Sequence, residues 1–185
     1  MEKIQSLTGM MDLIANKSDK ADIANRIFYA EQMLRDIFEN YSISEIRTPA
    51  LENSSLFKRS VGDTSDIVNK ELYSFLDKND RSITLRPEGT ASVIRSIIEK
   101  KIDNESNKFW YLGPMWRYER PQKGRYRQFN QAGVEILGYS EGIAELEIVS
   151  IICSINKALG IENSILKINH LGDKESKQNL SLIHI

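Results

Sequence analysis

A cluster of positive charge around one turn constrains this chain more than any other sequence feature. Five basic residues lie between positions 117 and 127 with a single acidic residue, whereas the 185-residue chain has a net charge of only −1. Pro121 and Gly124 favour a turn inside this stretch. Aromatic-rich segments precede the turn at 108–112 and 115–120, and a strand pattern follows it at 127–137. The sequence therefore predicts an antiparallel hairpin that carries a basic loop.

Side-chain alternation in the second strand of this hairpin gives its two faces different chemistry. Val134 and Ile136 make one face apolar, so we expect that face to pack against helices. The other face would line a cleft and carries Arg127, Phe129, Gln131, Gly133 and Glu135. If Glu119 paired with Arg127, Arg117 would also lie near Phe129 on the cleft face.

The residue types on the cleft face suit a ligand that combines an anion with a flat ring. Arginine can hold phosphate or carboxylate with two parallel hydrogen bonds, and an aromatic ring can stack on a base. Gly133 permits a ligand to approach the backbone closely, and the Glu135 carboxylate can accept a hydrogen bond. A solvated loop with cross-strand ion pairs explains the same pattern equally well from periodicity alone.

The rest of the chain predicts helices interspersed with hairpins, without regular β-α-β alternation. This pattern favours an α+β fold in which helices flank an antiparallel or mixed sheet. The expected elements are a helix over 21–40 capped by Asp22, a strand at 43–49, a loop with short helical turns over 54–70, a hairpin of 72–76 with 82–86, a helix from Thr90, a helix over 144–159 ended by Gly160, and a strand at 165–169.

Composition excludes several classes of protein. Apolar residues make up 41% and charged residues 28%, as in soluble globular domains. No apolar run approaches the roughly 18–20 residues of a membrane span, and the N-terminus lacks the pattern of a signal peptide. The single cysteine, Cys153, forms no internal disulfide and fits a reducing cytoplasm. With two histidines it offers no metal-ligand spacing, so no protein-held metal site is expected.

Four segments, in order along the chain, resemble those of one enzyme family. Arg117–Pro121 followed by Gly124–Phe129 is similar to motif 2 of class II aminoacyl-tRNA synthetases in its histidyl form. Thr84–Ala91 resembles the histidine-binding segment of that family, and Arg47–Glu52 resembles its motif 1. Asn169–Asp173 fits a later segment. The ordered set is far more specific than one Arg-x-Glu sequence.

The resemblance implies an ATP site on the basic hairpin. Arg117 would hold the ATP α-phosphate and the amino-acid carboxylate, and would act in catalysis by offsetting charge in the transition state. Arg125 would bind the β- and γ-phosphates, Phe129 would stack on adenine, and Glu119 would help to place the adenine. Two loop residues, Arg120 and Gln122, would contact tRNA.

The resemblance also implies a histidine site. Glu88, Thr90 and Gln131 would bind the α-amino group, and Glu135 would accept a hydrogen bond from the imidazole ring. A buried acceptor discriminates against amino acids that lack the matching donor. Taken singly, Glu88 is better explained as a cap of the helix that begins at Thr90.

The expected reaction has two steps. Histidine and ATP would form histidyl-adenylate and pyrophosphate, with Mg²⁺ bridging the phosphates, and the histidyl group would then pass to the terminal hydroxyl of tRNA(His). The family resemblance implies a homodimer in which the motif 1 helix contributes to the interface.

The resemblance covers only part of such an enzyme. Residues 1–179 are expected to form a partial catalytic domain with motifs 1 and 2 but without motif 3, and this chain alone is expected to be inactive. The last six residues, 180–185, break the match abruptly and coincide with one reading frame of a sequencing adapter. We interpret them as a non-native tail.

Two other functions fit parts of the pattern. A histidine-sensing regulatory subunit of ATP phosphoribosyltransferase shares the implied fold, but predicts an eroded ATP loop. A nucleic-acid-binding module that uses the basic hairpin predicts steep salt dependence and indifference to histidine.

Overall fold

The computed structural model describes residues 4–16, 18–19, 22–61, 71–120, 122–140 and 142–169, without the side chains of residues 60 and 61. The elements in chain order are α1 (Ile23–Asn40), β1 (Ser44–Glu45), β2 (Leu51–Asn53), α2 (Ser54–Val61), β3 (Ser74–Leu76), β4 (Ser82–Leu85), α3 (Thr90–Lys100), β5 (Asn107–Trp116), β6 (Gln128–Leu137) and α4 (Ile143–Ala158). These elements confirm the α+β class, with helices flanking predominantly antiparallel sheets.

The basic hairpin forms the centre of the larger sheet. Strands β5 and β6 pair antiparallel over ten residues each, and β1 adds to β5 in parallel, giving the order β1-β5-β6. Trp116 lies opposite Gln128, and the Arg117 amide donates to the Arg127 carbonyl at 2.9 Å. The register therefore differs by two residues from a pairing of Glu119 with Arg127. A shift of two keeps every side chain on its expected face.

The smaller sheet has the order β2-β4-β3, with both pairings antiparallel. The predicted hairpin of 72–76 with 82–86 is confirmed in its central part. Asp77 fixes the turn because one of its carboxylate oxygens accepts from the Asn79 and Arg81 amides, each at 2.9 Å. Arg81 Nε donates to the other oxygen at 2.7 Å.

Helices α1 and α4 cover one face of the larger sheet, as the apolar pattern of β6 predicted. The core of this layer consists of Phe38, Ile43, Trp110 and Ile151, and Val134 packs against it. Asp22 caps α1 by accepting from the Ala24 amide at 3.0 Å. Gly160 adopts φ +67° after α4, where a left-handed residue closes the helix with little strain.

Helix α3 packs on the opposite face of the larger sheet. Val93 and Ile97 from α3 form a second core with Tyr111 and Met115 from β5. A partly buried ion pair joins the same helix to the smaller sheet, since Arg95 Nη2 lies 2.7 Å from Glu52 Oε1. Helix α3 therefore lies between the two sheets and fixes both.

Three expectations about local structure need correction. Residues 54–61 form one continuous helix rather than short helical turns within a loop, and Phe57 of this helix is completely buried. Residues 62–70 lie outside the described part of the chain. The strand expected at 43–49 is limited to Ser44–Glu45. Residues 165–169 form no strand, since they are exposed and no described strand pairs with them.

The segment resembling a later family motif lies outside the described residues from position 170 onward, as does the tail at 180–185. Among the residues that the structure describes, no helix has the length and apolar character that a membrane crossing requires.

Candidate active site

Arg117 occupies the centre of the candidate site, where β5 ends at the basic loop. Its Nε donates to the Pro87 carbonyl at 2.9 Å, and its guanidinium carbon lies 5.1 Å from the centre of the Phe129 ring. The hydrogen bond and the ring hold the guanidinium group in one orientation, so little entropy would be lost when an anion binds. As predicted, Arg117 and Phe129 share one face of the hairpin.

An open cleft of about 450 Å³, which we call the cationic cleft, lies beside Arg117. It is lined by Glu71, Arg117, Glu119, Gly124, Arg125, Tyr126 and Phe129. Arg125 Nη1 lies 3.3 Å from Glu119 Oε2, but the Arg125 side chain is 64% exposed. Such an exposed ion pair contributes little to stability, so Arg125 can exchange it for a ligand anion at small cost.

A second group, the carboxylate cluster, consists of Glu88, Thr90 and Glu135. Thr90 Oγ1 donates to Glu135 Oε1 at 2.6 Å. Glu88 caps helix α3, because its two oxygens accept from the Thr90 amide at 2.6 Å and from the Ala91 amide at 3.0 Å. The capping role expected for an isolated glutamate is thus confirmed, and it orients the Glu88 carboxylate beside the Thr90 side chain.

Burial sets the protonation of Glu135. Loss of solvent raises the pKa of the Glu135 carboxyl, and repulsion by Glu88 raises it further, whereas the hydrogen bond from Thr90 opposes this rise. Glu135 therefore takes up a proton at a higher pH than an ordinary glutamate.

Tyr111 is a part of the carboxylate cluster that the sequence did not predict. Its buried ring lies between two glycines: a Cβ at Gly89 would come 2.3 Å from the ring, and a Cβ at Gly133 would come 2.2 Å from it. Burial is the main cause that raises the pKa of Tyr111.

Gln131 lies on β6 between Phe129 and Gly133, and thus between the cationic cleft and the carboxylate cluster. Its Oε1 atom is buried and has no hydrogen-bond partner among the described residues. An unsatisfied buried amide oxygen costs stability unless a ligand or water completes it. A donor such as an ammonium group would satisfy it.

The structure brings together most of the residues that the sequence singled out. Arg117, Glu119, Arg125 and Phe129 line the cationic cleft, and Glu88, Thr90 and Glu135 form the carboxylate cluster. Arg120 and Gln122 are exposed on the loop.

Arg127 lies outside the cleft lining, although it shares the face. Its guanidinium carbon lies 4.1 Å from the centre of the Tyr118 ring, and its Nε donates to the Glu119 carbonyl. Sequence reasoning also missed Glu71 in the cleft wall. Alternation along β5 places Tyr111 on the same face as Met115, but only the partner elements reveal where its hydroxyl lies.

The sheet built on a basic hairpin, with helices on both faces, is the architecture of class II aminoacyl-tRNA synthetases. A family model described as histidyl-tRNA synthetase matches residues 20–172. The chain belongs to the histidyl-tRNA synthetase family.

Individual relatives agree with this assignment. A histidine–tRNA ligase of Synechococcus sp. (strain WH7803) is 46% identical over 179 residues, which are 96% of this chain and 39% of the relative. A histidine–tRNA ligase of Staphylococcus epidermidis is 51% identical over 153 residues, which are 81% of this chain and 36% of the relative. The chain thus spans about 40% of the length of the relatives that it matches.

Solved structures show the same fold. Apo histidyl-tRNA synthetase of S. aureus superimposes with a TM-score of 0.76 at 37% identity, covering 96% of this chain and 40% of that chain. A Bacillus halodurans protein described as an ATP phosphoribosyltransferase regulatory subunit/histidyl-tRNA synthetase has a TM-score of 0.70 at 20% identity, with 88% of this chain and 40% of that chain covered. The latter likeness concerns the fold alone.

Proposed function

We propose that this chain forms the histidine- and ATP-binding part of a histidine–tRNA ligase. The contact between Arg117 Nε and the Pro87 carbonyl carries the proposal. This hydrogen bond holds the Arg117 guanidinium group of the cationic cleft against the residue directly before Glu88. The cationic cleft and the carboxylate cluster would therefore belong to one site. A nucleotide and an amino acid bound there would lie next to each other, which an adenylation reaction requires.

The cationic cleft is proposed to bind ATP. Arg117 would bind the α-phosphate together with the amino-acid carboxylate, and Arg125 would leave Glu119 to bind the β- and γ-phosphates. Phe129 would stack on adenine with the part of its ring that the Arg117 guanidinium does not cover. Glu119 would help to position the base or its loop. Aligned positive charge would stabilise the negative charge that develops at phosphorus during attack.

Magnesium fits the donor chemistry of the cationic cleft. Glu71 and Glu119 are carboxylates in its wall, and oxygen atoms of this kind, directly or through water, are what Mg²⁺ accepts besides phosphate. When bound, Mg²⁺ would neutralise phosphate charge. The protein's own contribution is to place two arginines and two carboxylates around one cleft, with Arg125 paired to Glu119 until a ligand anion replaces that contact.

The carboxylate cluster is proposed to bind histidine. Glu88, the Thr90 hydroxyl and the unsatisfied Gln131 oxygen would bind the α-amino group, and ionised Glu135 would accept from an imidazole N–H. An amino acid without a ring N–H would give the half-buried Glu135 no donor beyond the Thr90 hydroxyl, which disfavours its binding.

The remaining parts of the proposal concern the larger assembly. The exposed side chains of Arg120 and Gln122 would contact tRNA(His) from the loop. Exposed apolar residues of α1, namely Ile23, Phe28 and Tyr29, support a homodimer that uses this helix. A cytoplasmic location belongs to the same proposal, since ATP and tRNA are available there.

An NMR titration of the isotope-labelled 185-residue chain tests the proposed binding of histidine and ATP. Amide NMR spectra should show that histidine shifts the signals of Thr90, Gln131 and Glu135, and that ATP with Mg²⁺ shifts those of Arg117, Arg125 and Phe129. Phenylalanine is the matched control ligand, because it has a ring without an N–H group. Equal responses to histidine and phenylalanine, or no response to histidine at millimolar concentration, would refute the proposed site.

Catalytic competence needs a longer chain. Residues 20–172 can replace the matching segment of the Staphylococcus epidermidis ligase, and histidine-dependent exchange of pyrophosphate into ATP can be measured. We expect exchange by the hybrid and a loss of about a hundredfold or more after Arg117→Lys, because lysine cannot reproduce the two-pronged contact. The 185-residue chain alone should show no exchange, and an ordinary turnover from it would contradict that expectation.

A further inference from the structure

We propose that Gly9 is a positioning residue for the cationic cleft. Its carbonyl group anchors the backbone at the point where the basic loop returns to the larger sheet. This inference rests on the proposed ATP site, since the anchor would fix Arg117 and the loop around the phosphates. Gly9 does not line the cleft itself, so it would act through the residues that do.

The hydrogen bonds of the Gly9 carbonyl are the first observation. This one oxygen accepts from the Arg127 amide at 2.8 Å and from the Gln128 amide at 3.2 Å. The Arg127 carbonyl accepts in turn from the Arg117 amide at 2.9 Å. The backbone of residue 127 therefore joins the N-terminal segment to the backbone of Arg117, at the centre of the candidate site.

The turn that carries this carbonyl requires a glycine for two independent reasons. The Met10 amide donates to the Leu7 carbonyl at 2.9 Å, which closes a four-residue turn with Gly9 as its third residue at φ +80°. Glycine is favoured at that position because other residues are strained at positive φ. A Cβ at Gly9 would also lie 2.9 Å from Arg127 Cγ and 3.1 Å from the Arg127 amide nitrogen. A side chain at position 9 would therefore separate the carbonyl from its two donors.

Apolar side chains behind the turn support the wall of the cleft. Met11 and Leu13 line a cavity of about 330 Å³ together with residues of α1 and with Tyr126 and Phe129. Tyr126 and Phe129 also line the cationic cleft. The N-terminal segment therefore lies behind the same aromatic wall that would receive adenine.

The outgoing strand of the loop has an anchor of its own, because the Tyr118 amide donates to the Glu71 carbonyl at 2.7 Å. With both ends of the loop held by backbone hydrogen bonds, Arg117 and Arg125 project from a fixed frame. ATP binding would then lose less free energy to the ordering of the loop. Coupling between two sites is reciprocal, so bound ATP should in turn protect the contact between Gly9 and Arg127.

Amide hydrogen exchange and an ATP titration, both followed by NMR in the 185-residue chain, test the inference. In Gly9→Ala we expect the Arg127 and Gln128 amides to exchange about three- to tenfold faster, which corresponds to the net energy of one hydrogen bond. The Kd for ATP with Mg²⁺ should rise at least about threefold, because the loop must be ordered on binding. The Kd for histidine should change less, because the carboxylate cluster lies on α3 and further along β6. The Leu85 amide, which donates to the Tyr73 carbonyl in the smaller sheet, should keep its exchange rate.

Two further variants separate positioning from a general loss of stability. Gly160→Ala places a side chain at φ +67° where a Cβ would meet nothing within 4 Å, so it imposes the same kind of strain far from the cleft and should leave the ATP Kd unchanged. Gly9→Asn should fold even if Gly9→Ala does not, because asparagine tolerates positive φ better than alanine. It retains the close approach to Arg127 and should therefore still weaken ATP binding.

The outcomes distinguish this inference from the proposed function. If the position-9 variants speed exchange at Arg127 while ATP binds neither them nor the wild type, the backbone anchor stands and the proposed ATP site fails. If ATP binds the wild type and both position-9 variants equally well, the positioning role alone fails. An equal loss of ATP affinity in Gly160→Ala, or unchanged exchange at Arg127 in the position-9 variants, would also overturn the inference.

Discussion

At the scale of single residues, the half-buried carboxyl group of Glu135 is costly to ionise. The structure raises the pKa of Glu135, chiefly by burial and then by repulsion from Glu88. A carboxyl whose pKa is raised on folding favours the folded state most when it is protonated. As pH rises through the pKa that this carboxyl has in the folded state, the carboxyl ionises and the free energy of unfolding falls.

Glu135→Gln should separate stability from recognition. The amide resembles the protonated carboxyl in shape and lack of charge, so the variant should have a higher free energy of unfolding than the wild type at pH 7. Histidine affinity should fall by about tenfold or more, because the charged acceptor is lost. Urea denaturation at pH 7 and pH 4 and the NMR titration measure both effects.

Comparison of the two pH values supplies the control. At pH 4 the wild-type carboxyl is largely protonated, so the gain in the free energy of unfolding should shrink or vanish. A gain of equal size at both pH values would show that packing, rather than charge, separates the two proteins.

At the scale of elements, one arginine joins the smaller sheet to the larger one. Arg86 follows β4 directly, and its side chain donates to the Thr48 carbonyl at 2.8 Å, to the Thr48 hydroxyl at 3.1 Å and to the Pro114 carbonyl at 3.1 Å. Its own carbonyl accepts from the Trp116 amide. Burial lowers the pKa of Arg86 without neutralising it. The three neutral acceptors hold the guanidinium group in a fixed fork geometry.

Arg86→Lys should weaken the contacts between the smaller and the larger sheet. A lysine can satisfy fewer of the same acceptors, so we expect the free energy of unfolding to fall by about 1–3 kcal/mol. The matched control is Arg81→Lys, at an exposed arginine paired with Asp77, where a change below about 0.5 kcal/mol is expected. Both are measured by urea denaturation at constant pH. Equal losses in the two variants would contradict the role given to Arg86.

At the scale of the whole molecule, helix α1 carries apolar residues on two sides. One side meets the core around Phe38 and Trp110, whereas Tyr29 is 68% exposed next to Leu159 of the α4 end. A helix that is apolar beyond its core-facing stripe is typical of an association surface. This observation supports the proposed homodimer.

Sedimentation of the 185-residue chain tests this association. If α1 forms the interface, the mass should increase from one chain of 21.2 kDa toward two chains as concentration rises. Tyr29→Asp should move the midpoint of association to a concentration at least about tenfold higher, since a charge would be buried in the contact. Asp36→Asn, at an exposed polar position of the same helix, is the control. A single-chain mass at every concentration would exclude self-association of this chain.

Several elements followed from local sequence alone. The hairpin of β5 and β6, the helices α1, α3 and α4, and the apolar face of β6 were predicted because alternation and helical periodicity report which side of an element is buried. The faces of Phe129, Gln131 and Glu135 came from the same period of two. These patterns depend only on the backbone geometry within one helix or strand, so they can be read from the sequence of that segment alone.

Errors arose where contacts between distant segments decide the structure. Residues 54–61 look polar enough for a loop, but the burial of Phe57 and the Ser54–Thr84 hydrogen bond between side chains stabilise a helix. Residues 165–169 have the composition of a strand but no described partner strand, and an unpaired strand has unsatisfied backbone groups. The register of the hairpin differed by two from the expected pairing of Glu119 with Arg127, since Trp116 pairs with Gln128 and the loop between them includes a separate bridge of Gln122 with Arg125.

The sequence by itself determined the face that carries the site, the charge of the loop and the family to which the chain belongs, because these depend on residue order along single elements. Only the tertiary structure decided that Tyr111 enters a slot between Gly89 and Gly133, and that Arg117 is fixed by the Pro87 carbonyl. Those contacts join residues up to 30 positions apart, from segments that are separate along the chain. Periodicity describes one element at a time, so it carries no information about how two elements meet.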